Sequence, residues 1–285
     1  MRNLFPAKVL LFGEHRVLRG ARALAAPLPI LGTEWIRRSN KVDYDLLRFV
    51  AYLAEKFPAS TLQWPLLRRD VLRGWQLRGN VPFGYGLGSS GTVCAAIWDR
   101  YAGLNSKTIK GKALQATLGK MEAFFHGQSS GTDPLISLLN APVLISKGGI
   151  KPIELPNEWQ APFFLLDTGI SRKSGPLIQR FLQRYDTDFA WQIAVKECWG
   201  SCGERCIDAL LDGELATLQV AFSALSMYQG AIAREWIPYP FHRIWRGSSY
   251  RLKICGAGGG GFLLGYSFNW SATQEELRDF RLVKL

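Results

Sequence analysis

The chain has 285 residues, of which 47% are apolar and 20% charged, and its formal net charge is +12. This composition excludes an intrinsically disordered chain and is typical of a globular protein with one large domain or two smaller ones. No apolar run reaches the ~20 residues of a membrane-spanning helix. No secretory leader is recognisable, and five cysteines, an odd number, favour free thiols. We therefore expect a cytoplasmic protein.

The excess of 35 basic over 23 acidic residues is compatible with a nucleic acid, an acidic surface or an anionic metabolite as partner. The arginines are scattered along the chain, and no motif of a nucleic-acid-binding module is present. The charge permits RNA binding without indicating it, and it suits an anionic small molecule. We expect neither a nucleic acid nor a membrane as partner.

Hydrophobic periodicity predicts strands and helices mixed in both halves of the chain, which is the α+β class. We expect strands at 8–12, 23–26, 33–36, 61–64, 72–77, 143–146, 163–166, 251–254 and 262–266, and a last one at Leu282. We expect helices at 43–57, from Ser89 through Ile97, at 106–126, after Pro134, and at 174–185, 189–211, 213–230 and 273–279. A change of composition around residues 148–156 places a boundary between two lobes, residues 1–150 and 151–285.

Three glycines at alternate positions open the most informative stretch. Gly84, Gly86 and Gly88 precede Ser89 and Ser90, which begin a helix of small residues. Glycine lets backbone amides approach a ligand closely, and a helix N-terminus offers unpaired N–H groups and a positive dipole end. The stretch predicts a cradle for nucleotide phosphates, against the alternative of a tight turn with Ser89 as a plain N-cap. It lacks the Gly-Lys-Ser/Thr ending of a P-loop, so a cation must come from elsewhere.

Lys8 is the candidate for that cation, and a second polar group is formed by Glu122 and Asp133. Phosphoryl transfer needs a divalent metal, a positioned hydroxyl and charge complementarity to the transferred group. Ser90 and Glu122 supply oxygen ligands of the kind that Mg²⁺ prefers. Asp133 has the chemistry to accept the hydroxyl proton, and Lys8 to stabilise the moving phosphoryl group. Each of these residues taken alone is more often a solvated surface residue.

Three other patterns favour structural roles. Gly256-x-Gly258-x-x-Gly261 matches a dinucleotide fingerprint, but an apolar strand follows it instead of the required helix. Cysteines recur every fourth residue from Cys198 to Cys206, and without a histidine between them we favour buried small side chains over a metal site. His126 is predicted to order its loop, and His242 to be structural.

Five motifs follow one another between residues 6 and 261: Lys8-Val-Leu-Leu-Phe-Gly-Glu-His15, Pro82-Phe-Gly-Tyr-Gly-Leu-Gly-Ser-Ser90, Glu122 with His126-Gly-Gln-Ser-Ser-Gly-Thr-Asp133, Asp167-Thr-Gly-Ile-Ser-Arg-Lys-Ser174, and Lys253-Ile-Cys-Gly-Ala-Gly-Gly-Gly-Gly261. In this order they resemble the GHMP family of small-molecule kinases, and within it most closely the mevalonate kinases. The resemblance implies an enzyme that uses ATP and Mg²⁺ to phosphorylate a hydroxyl of a small acid, with mevalonate as the expected substrate. It also implies two lobes, the first like a ribosomal-protein domain with a left-handed βαβ crossover and the second ferredoxin-like.

The same resemblance implies a role for each matching residue. Asp133 would be the catalytic carboxylate, paired with Lys8. Ser90 and Glu122 would bind Mg²⁺. The remaining predicted contacts are Gly84, Gly86, Leu87, Gly88, Ser89 and Ser90 for ATP, and Glu14, His15, Ser174, Gly256, Ala257 and Gly258 for the substrate.

The chain departs from the family pattern at Ala7, at Gly91-Thr92 in place of alanines, and at Gln128-Ser129 in place of Asn-Pro. These departures leave the acceptor open among mevalonate, phosphomevalonate, homoserine and a sugar, and diphosphomevalonate decarboxylase is a further alternative within the family. An alternative from another class is a non-catalytic relative that binds nucleotide or RNA. The oligomeric state is also open, with a homodimer as one alternative.

Overall fold

The computed structural model describes residues 4–38, 41–82 and 84–285. The strands in this part of the chain form two antiparallel sheets. The first contains β1 (Phe5–Phe12), β2 (Ala23–Arg37), β3 (Trp75–Gly79), β4 (Val143–Ser146) and β5 (Gly149–Pro152). The second contains β6 (Phe163–Asp167), β7 (Tyr250–Ile254), β8 (Phe262–Ser267) and β9 (Leu282–Lys284). In the first sheet β2 pairs with β1, β3 and β4, and β4 pairs with β5; the second has the order β7-β8-β6-β9.

Ten α-helices of the described residues surround these sheets: α1 (Tyr44–Lys56), α2 (Trp64–Leu72), α3 (Ser89–Tyr101), α4 (Gly111–His126), α5 (Thr132–Leu139), α6 (Ser174–Thr187), α7 (Phe189–Ala194), α8 (Ser201–Leu211), α9 (Leu215–Ile232) and α10 (Trp270–Glu276). The predicted α+β class is confirmed. None of the helices among the described residues combines the length and the apolar character needed to cross a lipid bilayer.

The first strand shows how the sequence places a functional side chain. Ala7, Val9 and Leu11 are fully buried on one face of β1, because alternate residues of a strand point to opposite faces. Lys8 and Leu10 lie on the other face, where β1 contacts α5. The first face belongs to a core cluster that also contains Phe163 to Leu166 of the second sheet. The two sheets therefore share one continuous hydrophobic core.

Several predicted elements differ from the structure. The strand predicted at 72–77 is confirmed over residues 75–77, which belong to β3. The strand predicted at 61–64 is wrong, and the residues between the two predicted strands form α2, with Pro65 in its first turn. The two strands predicted at 23–26 and 33–36 are parts of the single strand β2. The predicted start of α1 is confirmed, since Asp43 is its N-cap and accepts a hydrogen bond from the backbone N–H of Leu46 at 2.9 Å. The lobe boundary at residue 150 stays a prediction, and this residue lies in β5.

Three arginines of the first lobe pair with acidic helix residues of the second. Arg22 Nε lies 2.6 Å from Glu204 Oε2, and Arg19 pairs with Asp186. Arg16 lies 3.8 Å from Glu204 and packs against Gly200, where a Cβ would come within 2.2 Å of its Cζ atom. Gly200 ends a π-helical turn, Val195–Gly200, that joins α7 to α8. The absence of a side chain at Gly200 thus leaves the space that Arg16 occupies.

Candidate active site

The glycine-rich loop ends where α3 begins. Gly88 precedes the helix with φ 72°, a left-handed conformation that favours glycine, and no side chain of the described residues caps the helix N-terminus. A Cβ on Gly88 would lie 3.0 Å from Asp133 Oδ2. The buried Leu87 accepts a hydrogen bond from the backbone N–H of Lys8 at 3.0 Å. The loop is therefore docked on β1, with the uncapped end of α3 next to Asp133.

Lys8 and Asp133 form an ion pair, with Lys8 Nζ 3.2 Å from Asp133 Oδ1. The side chain of Lys8 is 11% exposed and that of Asp133 is 32% exposed, so the carboxylate is open to a ligand on one side. Asp133 lies in the first turn of α5, which packs against α3. The structure thus brings together two residues that are 125 positions apart in the sequence.

Ser90 and Glu122, the predicted metal ligands, are also in contact. Ser90 Oγ donates a hydrogen bond to Glu122 Oε1 at 2.8 Å and lies 2.9 Å from His126 Nε2. Ser129 Oγ donates to the other carboxylate oxygen of Glu122. A hydroxyl and a carboxylate beside the open end of α3 fit Mg²⁺, which takes one or two carboxylates and completes its shell with water and phosphate oxygens.

The carboxyl of Glu122 has an unusual pKa. Burial and, to a smaller extent, the neighbouring Asp133 raise this pKa from its ordinary value of 4.5 to about 7, against the opposing effect of the hydrogen bonds from Ser129 and Ser90. Between these two pH values the folded protein binds more protons at this group than the unfolded chain does. Stability changes with pH in proportion to the protons bound by the unfolded state minus those bound by the folded state. The contribution of Glu122 is therefore complete below pH 4.5 and is lost as the pH rises through about 7.

We expect Glu122→Gln to remove this pH dependence, because the amide does not titrate. The measurement is the free energy of urea unfolding between pH 4.5 and 7.5 in the presence of a chelator. The difference between the native protein and the variant should change by on the order of 3 kcal/mol, at 1.36 kcal/mol per pKa unit. The exposed Glu55→Gln variant is the control. A difference that does not vary with pH would contradict the prediction.

Gly91 is one of the departures from the family pattern, and the structure gives a reason for it. A Cβ at this position would lie 2.8 Å from the carbonyl carbon of Asp133 and 2.8 Å from the nitrogen of Pro134. Both are backbone atoms, so α5 could make room only by moving away from α3. Glycine thus permits the close approach that places Asp133 beside Gly88.

We expect Gly91→Ala to lower stability by about 1–3 kcal/mol, the usual cost of overpacking. Displacement of Asp133 should also lower kcat by about tenfold or more, since small misplacements of reacting groups are costly. Gly203→Ala in α8 is the matched control, because a Cβ there meets no atom within 4 Å. Thermal melting and steady-state kinetics measure both effects. An unchanged kcat in Gly91→Ala would show that α5 tolerates the shift.

Glu14 and His15, predicted to contact substrate, are enclosed side chains. Glu14 is fully buried in an ion pair with Lys253. His15 is 4% exposed, its ring stacks on Phe181 at 4.5 Å, and its Nε2 donates to the carbonyl of Ala257 at 3.2 Å. Burial lowers the pKa of His15 to about 4, so the ring is neutral near pH 7. Contact of Glu14 and His15 with a substrate stays a prediction. In the structure both side chains are buried.

The glycine turn of the second lobe faces the loop of the first. Gly256 and Gly258 have φ values of 64° and 70°, and Ala257 between them is 7% exposed. Arg172 bridges the two segments: a Cβ on Gly86 would lie 2.4 Å from its Nη2 atom, and a Cβ on Gly256 would lie 3.4 Å from it. Its backbone N–H donates to the carbonyl of Gly84 at 3.2 Å. The predicted ATP loop and the predicted substrate turn therefore meet at one arginine.

Arg172 is a residue to which sequence reasoning gave no role. Its guanidinium donates to the hydroxyl of Ser174, at the start of α6, while its buried Nε has no hydrogen-bond partner among the described residues. Burial lowers the pKa of Arg172, and nearby Cys255 and Asp133 oppose that shift. Lys253 and Ser129 were also missed. Arg172, Lys253 and Ser129 all lie within the quoted motifs. The charge of Lys253 inside the apolar strand segment Leu252–Ile254 was a signal that this residue has a buried partner.

A cavity of about 370 Å³ lies next to the start of α3. Its lining is mixed, with apolar side chains beside polar and basic ones and the first residue of α3: Ile36, Leu77, Val81, Val93, Thr33, Arg38, Gln76, Arg78 and Ser89 are among them. A recess of mixed polar and apolar lining beside the uncapped start of α3 is a candidate position for the nucleoside part of a nucleotide.

The cysteine stripe lies on α8 and the turn before it. Cys202 and Cys206 are buried and Cys198 is partly buried. Their burial agrees with the prediction of small apolar side chains on one helix face.

Comparison with known proteins agrees with this geometry. Residues 46–141 match the family model of the GHMP kinases N terminal domain. A curated mevalonate kinase from Aeropyrum pernix is 24% identical over 281 residues, which cover 91% of this chain and 86% of the relative. The structure of an L. major mevalonate kinase in complex with R-mevalonate superposes with a TM-score of 0.64 at 17% identity, over 100% of this chain and 96% of that one. A Lactococcus lactis galactokinase complexed with galactose gives a TM-score of 0.65 at 14% identity, over 99% and 92% of the two chains.

These matches confirm the resemblance to the GHMP kinases that the motifs indicated. Residues 46–141 are similar to the GHMP kinases N terminal domain, and the chain shares the two-sheet fold of the solved mevalonate kinase structure. The matches together indicate a small-molecule kinase.

Proposed function

We propose that this protein uses ATP to phosphorylate a hydroxyl group of a small acid, and that mevalonate is the acceptor. The observation that carries the proposal is the Lys8–Asp133 ion pair at the uncapped N-terminus of α3. A cation and a carboxylate next to a phosphate cradle are the groups that phosphoryl transfer to an alcohol requires. With mevalonate as acceptor, the reaction belongs to isoprenoid precursor synthesis in the cytoplasm.

The proposed step transfers one proton and one phosphoryl group. The acceptor oxygen forms a bond to the γ-phosphorus of ATP while the bond from that phosphorus to the β,γ-bridging oxygen breaks. Asp133 accepts the hydroxyl proton through the carboxylate face that is open to solvent. Lys8 Nζ lies 3.2 Å from Asp133 Oδ1 and offers positive charge to the transferred group.

Ser90 and Glu122 would hold Mg²⁺ in this proposal. The metal ion would supply charge neutralisation for the β- and γ-phosphates. Backbone N–H groups at the start of α3 bind the phosphates, because the loop Gly84–Ser89 brings them close and no side chain caps them. The nucleoside occupies the cavity lined by Ile36, Leu77 and Val81.

Arg172 supports an acid as the acceptor. Its guanidinium lies between the ATP loop and the Gly256–Gly258 turn, and its Nε is buried without a partner among the described residues. An arginine presents several donors in a planar fork that matches a carboxylate. A carboxylate bound there would place the acceptor between the two lobes.

The experiment that tests the function is a coupled ADP-release assay with Mg-ATP on mevalonate, phosphomevalonate, homoserine and galactose. Turnover on mevalonate alone is the expected result. Turnover on another of the four acceptors would keep the reaction type and overturn the proposed substrate. Nucleotide binding without turnover on any of them would favour the alternative of a non-catalytic nucleotide-binding relative.

We expect Arg172→Met to lower kcat/KM for the acid acceptor by about 10–150-fold, the equivalent of a hydrogen bond to a charged group at 1.5–3 kcal/mol. The loss should appear mainly in KM, because the interaction is made with the bound substrate and the transition state alike. Arg172→Lys, which keeps the charge but not the planar fork, should recover part of the loss. Equal loss for a neutral acceptor would contradict a carboxylate contact.

A further inference from the structure

Behind the Lys8–Asp133 pair lies a second ion pair that the proposed chemistry does not use. Glu14 follows β1 of the first sheet, and Lys253 lies in β7 of the second. Their side chains are in contact, and both are fully buried. Each half of the pair therefore comes from a different sheet, at the place where the two sheets share their core.

The surroundings of the pair fix the position of both charges. Lys253 Nζ donates to Glu14 Oε1 and to the carbonyl of Ile254 at 2.8 Å, and it lies 5.8 Å from the ring centroid of Phe12. Glu14 Oε2 is buried and has no hydrogen-bond partner among the described residues. Burial raises the pKa of Glu14, while Lys253 and then the more distant Lys8 oppose that rise. Lys8 is thus close enough for its charge to act on Glu14.

Both partners connect directly to the candidate site. Glu14 is followed by His15, whose Nε2 donates to the carbonyl of Ala257. Lys253 is followed by Ile254, whose N–H donates to Gln229 Oε1 of α9 at 2.9 Å, and the chain then enters the Gly256–Gly258 turn. The ion pair therefore joins the strand that carries Lys8 to the base of the second-lobe turn.

We propose that Glu14 and Lys253 form a positioning pair. The pair holds the Gly256–Gly258 turn at a fixed distance from β1, and so sets where an acceptor bound at this turn lies relative to Lys8 and Asp133. This inference rests on the proposed function, because it takes the acceptor to contact the Gly256–Gly258 turn. Loss of the pair should therefore lower turnover and weaken binding of the acceptor. It should leave nucleotide affinity unchanged, because the nucleotide binds the first-lobe loop.

A double variant separates positioning from simple stability. Glu14→Gln or Lys253→Met alone leaves one buried charge without its partner, so each should lower the melting temperature strongly. The double variant Glu14→Gln/Lys253→Met buries no charge and should regain most of that loss. If the pair positions the turn, the double variant still shows kcat/KM for the acceptor lower by about 100-fold, the effect of a misplacement near 1 Å. Its affinity for a fluorescent ATP analogue stays at the native value.

Asp70→Asn is the matched control. Asp70 pairs with Arg100 at 3.5 Å and accepts a hydrogen bond from Tyr101 at 3.0 Å, in a partly buried cluster at the far end of α3. This variant should lower the melting temperature and leave kcat/KM unchanged. Full recovery of kcat/KM in the Glu14→Gln/Lys253→Met variant would overturn the proposal and leave the pair a structural role only.

Amide hydrogen exchange tests the pair without an acceptor. Exchange over residues 254–261 should be faster in the double variant than in the native protein, and unchanged in Asp70→Asn. Absence of turnover by the native protein on all acceptors would overturn the proposed function, and the exchange measurement would still decide on the pair. Unchanged exchange over 254–261 would overturn the positioning role.

Discussion

Asp133→Asn is expected to lower kcat by about 10²–10⁴-fold, the usual contribution of a general base, while the nucleotide still binds. The amide has nearly the shape of the carboxylate but accepts no proton at neutral pH. The side chain of Asp133 is 32% exposed, and within the described part of the chain it forms one ion pair, with Lys8 at 3.2 Å, so the substitution should leave the fold intact. Steady-state ADP release and titration with a fluorescent ATP analogue measure the two quantities.

Asp43→Asn is the control for this change of charge. Asp43 caps α1 by accepting the N–H of Leu46, and asparagine is an equally good N-cap, so neither stability nor kcat should change appreciably. If Asp133→Asn retained native turnover, another group would have to accept the proton. The assignment of Asp133 as the base would then be wrong.

Lys8→Met is expected to lower kcat by about 10²–10³-fold, the effect of removing one group that stabilises charge in the transition state. The strand should persist, because the backbone N–H of Lys8 donates to Leu87 whatever the side chain. Lys8→Arg keeps a cation at this position and should retain part of the activity. Native turnover in Lys8→Met would exclude a catalytic role for the ammonium group.

The double variant Lys8→Met/Asp133→Asn tests whether the two residues act together. Groups that form one catalytic unit show strongly non-additive losses. We therefore expect the double variant to be little slower than Asp133→Asn alone. Fully multiplicative losses would instead indicate two independent roles.

Much of the fold was predictable because local patterns agreed with the tertiary structure. The alternation in β1 buries Ala7 and Val9 and leaves Lys8 on the opposite face. Helix α2 was not predicted, because residues 61–77 combine a short apolar pattern with arginines at Arg68, Arg69 and Arg73. There the helix is decided by Pro65 in its first turn and by the burial of one face against α1 and α3.

The candidate site was predictable in part. Motif order indicated the residues that now lie close together, namely the pair Lys8–Asp133 and the pair Ser90–Glu122. The spacing of charged residues along the chain does not show which of them pair with each other across the two lobes. The partner of Glu14, Lys253, is 239 residues away, and their pairing follows from the packing of one sheet against the other. Arg172 likewise acquires its neighbours only when the two glycine segments meet.

The π-helical turn at Val195–Gly200 constrains how this chain can change in length. A π turn carries one residue more than an α turn, so deletion of a single residue there would rotate α7 by about 100° relative to α8. That rotation would carry Trp191 away from Trp236, on which it now stacks at 5.5 Å. Exposed positions of the turn, such as Lys196 and Glu197, are free to change identity. In related chains we expect this segment to accept substitutions readily while insertions and deletions fall elsewhere.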